Sequence, residues 1–167
     1  MAIHIDDCAL TGSSSALITQ YKQKLNACFP LTDLGPVHWL LGIKITRNRS
    51  ARTISLSQQQ YIESILAQFG LQDACGYATP MVPGASYTLS DIPEDATEDA
   101  QMGQVPYREA IGSLMYASVA TRPDITFAVS TLSQFLENPR QIHWEAMKRV
   151  MWYLSQTRDL ELTYGGE

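Results

Sequence analysis

Between Tyr107 and Gln156, apolar residues recur at helical spacing, and two prolines divide the run into three. Proline has no backbone N–H and clashes with the preceding turn, so Pro123 and Pro139 mark boundaries rather than helix interiors. The first helix begins at Pro106, which suits a first-turn position, and puts Tyr107, Ile111, Leu114, Met115 and Ser118 on one face. Asp124 is placed to cap the second, with Phe127, Val129, Leu132 and Phe135 inside. The third runs from about Gln141 to Gln156 and buries Trp144, Met147, Val150, Met151 and Leu154.

The first half of the chain reads differently. Ile3 and Ile5 alternate with His4, and Cys8 to Leu10 follow Asp6-Asp7, predicting two short strands that meet at the acidic pair. The serine cluster 13–15 supplies an N-cap for a helix carrying Ile18, Tyr21, Leu25 and Cys28, which ends at Pro30. A second hairpin is expected from His38–Thr46 and Thr53–Ser57 around a polar loop. Ser57 then caps a helix with Tyr61, Ile62, Ile65, Leu66 and Phe69, closed by Gly70. Residues 71–104 keep no period and hold five acids between Asp91 and Asp99, so they read as a long mobile loop. The final alternation of Leu160, Leu162 and Tyr164 predicts a strand with no partner. The whole is α+β and helix-rich: two hairpins followed by helices.

Composition excludes several classes. The 167 residues are 45% hydrophobic, enough for a core, with no apolar run of the roughly 20 residues a membrane-spanning helix needs. Three dispersed cysteines match neither a disulfide framework nor a zinc site, which favours a reducing, intracellular setting. The net charge is −5, and residues 51–100 carry most of the acidity. That argues against strong autonomous binding of nucleic acid, whose non-specific affinity comes from neutralising phosphates.

Asp6 and Asp7 are the residues best suited to chemistry. Adjacent carboxylates at a hairpin tip repel unless a cation bridges them, and hard divalent ions take such oxygen ligands. By itself an Asp-Asp turn is most often only a solvated turn. His38 and His143 read as surface or packing residues, because no ligand stands at matched spacing. Trp39, Trp144 and Trp152 read as core rather than as stacking platforms. Lys148-Arg149 is ordinarily a solvated helix face.

The order of short motifs adds a resemblance. His4-Ile5-Asp6-Asp7 is followed by Thr11-Gly12-Ser13, Asp33-Leu34-Gly35, Leu40-Leu41-Gly42-Ile43, Leu56-Ser57-Gln58 and Thr79-Pro80. Then come Tyr107-Arg108-Glu109-Ala110-Ile111-Gly112-Ser113-Leu114, Arg122-Pro123-Asp124-Ile125, Leu132-Ser133-Gln134-Phe135, His143-Trp144 and Leu162-Thr163-Tyr164. In this series the chain resembles the C-terminal part of copia-type retrotransposon reverse transcriptases along nearly its whole length.

The resemblance implies a palm segment at 1–57, a helical thumb at 58–157 with its mobile loop at 71–104, and the start of a linker at 158–167. It implies catalytic, metal-binding roles for Asp6 and Asp7, with Mg²⁺ as the cofactor and Mn²⁺ as the alternative. The strand around Leu41, Gly42 and Lys44 would grip the primer end, and Lys148 and Arg149 would touch the duplex backbone. Arg122 is left open between a backbone contact and a structural role. Template–primer and dNTP are the implied partners, together with fingers, the rest of the palm and a ribonuclease H domain, expected before Met1 and after Glu167. The implied location is the cytoplasm or a virus-like particle. The family's box begins with Tyr where this chain has His4, which bears on rate or fidelity. The isolated chain is therefore expected to be inactive. Two other readings stand beside this one: a non-enzymatic module that binds nucleic acid or protein through the thumb helices, and a functionless transposon remnant.

Overall fold

The computed structural model describes residues 1–5, 7–72, 76–85, 87 and 102–166. The acidic run between Asp91 and Asp99 lies outside the described residues. The chain divides into two compact units, Met1–Leu41 and Gly42–Glu167. The boundary expected at 57/58 falls inside the second of these, between a strand and a helix.

The first unit begins with a hairpin of β1 (Ala2–His4) and β2 (Asp7–Ala9), paired antiparallel with Ile3 opposite Cys8. Helix α1 (Ser15–Cys28) follows. Its first turn is capped as the serine cluster predicted: Ser14 Oγ accepts from the Leu17 N–H at 3.4 Å. Lys22 grips Asp33 at 2.7 Å, and Asp33 Oδ1 also accepts from the Gly35 N–H. That pair folds the segment after the helix back toward it. Strand β3 (Trp39–Leu40) closes the unit. None of its described residues is buried.

The second unit holds the core. Strands β4 (Ile43–Asn48), β5 (Thr53–Ser57) and β6 (Leu162–Gly165) lie side by side with β5 in the middle. Two features of this arrangement correct the sequence reading. The strand expected over 38–46 is broken at Leu41 and Gly42, whose φ angles are +51° and +74°. A left-handed pair cannot continue a pleated strand. The terminal strand does find a partner: Leu56 faces Leu162 and Ile54 faces Tyr164, with Ser55 and Thr163 sharing a hydroxyl hydrogen bond of 2.8 Å.

Helix α2 (Gln59–Gln68) ends as a Schellman motif. Leu71 N–H reaches Leu66 O, Gly70 N–H reaches Ala67 O, and Gly70 adopts φ +67°, which only glycine takes cheaply. Helix α3 (Tyr107–Ala120), a 3₁₀ turn (Pro123–Ile125), α4 (Thr126–Ser133) and α5 (Gln141–Gln156) follow. Their shared core includes Ile62, Ile111, Leu114, Ile125, Leu132, Met147, Met151 and Leu154. Polar ties cross it. Tyr107 Oη donates to Leu132 O at 2.8 Å, Tyr61 Oη donates to Ser113 O, and Thr121 Oγ1 donates to Gln58 Oε1.

Sequence assignments of burial and capping are corrected at several positions. Met115 and Phe127 face solvent, Phe127 at 75% exposure. Asp124 does not cap α4: the 3₁₀ turn intervenes, and α4 has no side-chain cap. Trp39 is exposed, and Trp144 and Trp152 are half-buried. Leu114→Ala is expected to lower unfolding free energy by about 2–5 kcal/mol, because it opens a cavity in the closed centre. Phe127→Ala is expected to change it by less than about 0.5 kcal/mol. Urea unfolding of the two variants checks both.

Candidate active-site hairpin and basic helix face

The register of the first hairpin fixes where Asp7 stands. His4 and Asp7 are Cα partners, so Asp7 opens β2 opposite the end of β1. Ile5 takes φ +50°, a conformation costly for a β-branched side chain. Asp7 is exposed, as is His4 beside it. Asp6 lies outside the described residues. Among the described residues, no three His, Cys, Asp or Glu side chains gather around one point. A single carboxylate does not make a divalent-cation site, which takes several oxygen ligands. The described residues alone do not fit a divalent metal.

The candidate nucleic-acid contacts are distributed over the chain. Leu41 and Gly42 form the left-handed turn between β3 and β4. Lys44 follows on β4, exposed, with Ser57 as its Cα partner. Lys148 and Arg149 are neighbours on α5, and both already have partners within the second unit. Lys148 Nζ pairs with Glu145 at 2.6 Å and lies 5.8 Å from the centroid of the Trp152 ring. Arg149 Nη2 donates to Thr79 Oγ1 at 2.9 Å, and its guanidinium lies 4.0 Å from the Tyr77 ring centroid. Sequence reasoning singled out neither Tyr77 nor Trp152 for this face. Helical spacing does place Trp152 one turn beyond Lys148, but nothing local brings Tyr77 to α5.

Arg122 resolves to the structural alternative. Its side chain is 2% exposed, and all of its partners are internal. Nε and Nη2 form a fork on the two carboxylate oxygens of Asp124, at 3.0 and 2.7 Å. Nη1 donates to Thr157 O at 2.9 Å and Nη2 to Thr157 Oγ1 at 2.5 Å. Tyr153 Oη completes the group by donating to Asp124 Oδ2 at 2.7 Å. Burial works to raise the Asp124 carboxyl, but the hydrogen bonds from Arg122 and Tyr153 outweigh it and hold the group below its ordinary range. His143 is also structural. It is fully buried, stacked on Phe135 at 3.9 Å, and its Nδ1 accepts from the Arg140 N–H at the start of α5. Burial first, then the charge of Arg140, pushes its pKa down, so it sits neutral in the core.

Residues 1–83 match the family described as reverse transcriptase (RNA-dependent DNA polymerase). That match and the relatives below support a fragment of a copia-type reverse transcriptase. It is 41% identical over 166 residues to the retrovirus-related Pol polyprotein from transposon TNT 1-94 of Nicotiana tabacum, covering 99% of this chain and 12% of that protein. It is 35% identical over 162 residues to the Pol polyprotein from transposon RE2 of Arabidopsis thaliana, covering 95% of this chain and 10% of that one. An uncharacterized mitochondrial protein of Arabidopsis thaliana is 33% identical over 157 residues, covering 94% of this chain and 61% of its own length. The chain thus spans about a tenth of the two polyproteins. No solved structure matches it significantly. Reverse transcriptases as a family are divalent-metal-dependent polymerases acting on template and primer strands. No described helix is long and apolar enough to cross a membrane.

The Arg122 cluster generates a pH prediction. The depressed Asp124 carboxyl contributes stability that is fully present above its unfolded value of about 3.9 and is lost as pH falls through its lower folded value. Asp124→Asn is expected to cost about 2 kcal/mol at neutral pH, because Arg122 is left buried without a carboxylate. The gap between the two proteins is expected to close as pH drops below about 4. Urea unfolding from pH 7 down to pH 3 measures it, and a gap independent of pH would contradict the assignment.

Proposed function

We propose that this chain is the part of an RNA-directed DNA polymerase that carries the Asp-Asp hairpin and the helical thumb, and that Asp6 and Asp7 are catalytic carboxylates of the whole polyprotein. The observation that supports this best is the hairpin register, which opens β2 with an exposed Asp7 directly after Asp6. Mg²⁺ is the ion such oxygen donors suit, because it leaves coordination positions to phosphate and water. In this reading Leu41, Gly42 and Lys44 approach the primer strand, while Lys148 and Arg149 approach the duplex backbone. The activity belongs to the cytoplasm or a virus-like particle, where the rest of the polyprotein is present.

The chain by itself is proposed to be inactive. Two-metal nucleotidyl transfer needs ligands that hold two ions about 4 Å apart. Adjacent Asp6 and Asp7 supply two carboxylates, too few to ligate both ions. Purified chain with primed RNA, dNTPs and Mg²⁺ is expected to give no extension, and extension that is lost on Asp7→Asn would overturn this. The catalytic assignment is tested by exchanging this chain for its counterpart in the tobacco TNT 1-94 Pol polyprotein. Reverse transcription by that chimera is expected to fall at least about a hundredfold on Asp7→Asn, the scale of losing a metal ligand in the transition state. An unchanged rate would remove Asp7 from the site.

A further inference from the structure

The stretch Gly76–Thr79 runs along the side of α5 that carries Arg149 and Trp152. The Tyr77 ring lies over the Arg149 guanidinium at 4.0 Å and against the Trp152 ring at 5.6 Å. Thr79 gives Arg149 a neutral hydroxyl acceptor at 2.9 Å. At Gly76 the backbone comes so close to α5 that an added Cβ would lie 1.9 Å from Gln156 Cγ. Such an approach is open to glycine without displacing its neighbour.

The covered face is poorly satisfied. Arg149 Nε and Trp152 Nε1 are buried donors with no acceptor among the described residues. Buried N–H groups normally find partners, and an orphan is costly. The same stripe offers the Lys148 ammonium and the face of Trp152. Unmatched N–H donors, two cationic groups and an aromatic ring in one strip suit a polynucleotide strand. Phosphate oxygens accept charge-assisted hydrogen bonds from a guanidinium, and bases stack on aromatic rings whatever their sequence. The strap supplies only one hydroxyl and one ring in their place.

We infer that Gly76–Thr79 is a displaceable strap over a nucleic-acid-binding face of α5 formed by Lys148, Arg149 and Trp152, and that a template or primer strand competes with Tyr77 and Thr79 for that face. This rests on the polymerase reading and adds to it a regulated contact. The uncovered helix binds, and the strapped helix does not.

The test uses the full chain and a fluorescein-labelled RNA–DNA hybrid, followed by fluorescence anisotropy over a series of salt concentrations. Tyr77→Ala removes the covering ring. Thr79→Val removes the hydroxyl acceptor and serves as a second route if the first variant misfolds, which circular dichroism reports. Each is expected to tighten binding about tenfold, the scale of one stacked base. Each is also expected to steepen the salt dependence by about one unit of slope, for one additional phosphate contact. Adding Arg149→Ala should abolish the gain. Hydrogen exchange of the amides in 76–85 reports strap release separately. Faster exchange with unchanged affinity would overturn the masking role. Unchanged exchange in both variants would show that the strap is fixed, and would overturn it as well. A gain that survives Arg149→Ala, or one that polyglutamate competes away as well as unlabelled hybrid does, would overturn the nucleic-acid face. None of these results bears on Asp7 in the chimera, so failure of the strap and failure of the polymerase reading are told apart.

Discussion

The Arg122 guanidinium sits where the 3₁₀ turn, the end of α5 and the end of α3 come together. Taking a cation out of water costs several kcal/mol, and the cost is offset only by close and complete pairing. Here the carboxylate of Asp124 takes one edge of the guanidinium, and the carbonyl and hydroxyl of Thr157 take the rest. The Tyr153 hydroxyl holds the carboxylate from its other side. A hydrophobic residue of similar volume need not be less stable at such a place, so net stability is a weak account of the group. Geometry is a stronger one. The fork is satisfied only when residues 122–124 and the last turn of α5 stand in one relation, and Thr157 is followed within a few residues by β6. The same contact that closes the helical core therefore directs the chain back to β5.

How much of this could be read beforehand depended on whether the deciding contact was local. The three late helices were legible because Pro123 and Pro139 act within a turn of their own positions. The Gly70 cap was legible because positive φ is a property of one residue. Met115 and Phe127 were misassigned although their helices were correctly expected. Helical spacing says which residues share a face, but not how far round the helix the buried stripe extends. On α3 the rest of the expected face, Tyr107, Ile111, Leu114 and Ser118, is buried, and the small residues Ala110 and Ala117 join it in place of Met115. β6 was expected as a strand but not as a paired one, because its bond to β5 joins residues 108 apart in sequence. The hairpin at Asp6-Asp7 was legible as a hairpin. Its chemical meaning came from the order of motifs, since an isolated acidic turn carries too little information.

Charge follows a similar division. The chain is acidic overall, yet its cations are not simply spread over a solvated surface. Arg122 is consumed in the core, Lys22 holds Asp33, Lys148 holds Glu145, and Arg149 lies beneath Tyr77. Exposed pairs such as Lys22–Asp33 are screened by solvent, so their worth to folding is small. Their effect on recognition is larger, because a cation already facing a carboxylate releases fewer counterions on meeting a phosphate. Lys44 has no such partner among the described contacts and stands exposed on β4. Any attraction of such a chain for phosphate would thus be set less by how many basic residues it has than by how many are released from internal contacts.

The two units also differ in what they can hold still. Catalytic carboxylates need placement within about 0.5 Å, which takes supporting side chains locked by packing. The Gly42–Glu167 unit has that kind of interior, with Ile111, Leu114, Met147 and Leu154 closed from solvent. The Met1–Leu41 unit has no buried residue among those described. Its two-stranded hairpin is of a kind that is marginal alone in water, and α1 is about the length at which isolated helices are marginal. Ile5 meanwhile holds a backbone conformation that costs on the order of 1–3 kcal/mol and persists only where surroundings enforce it. A strained turn carried by a unit without a core cannot fix its own carboxylates. On the proposed polymerase reading, the rigidity wanted at Asp7 would come from apolar partners packed onto Ile3, Leu17 and Tyr21, which stand exposed in this unit.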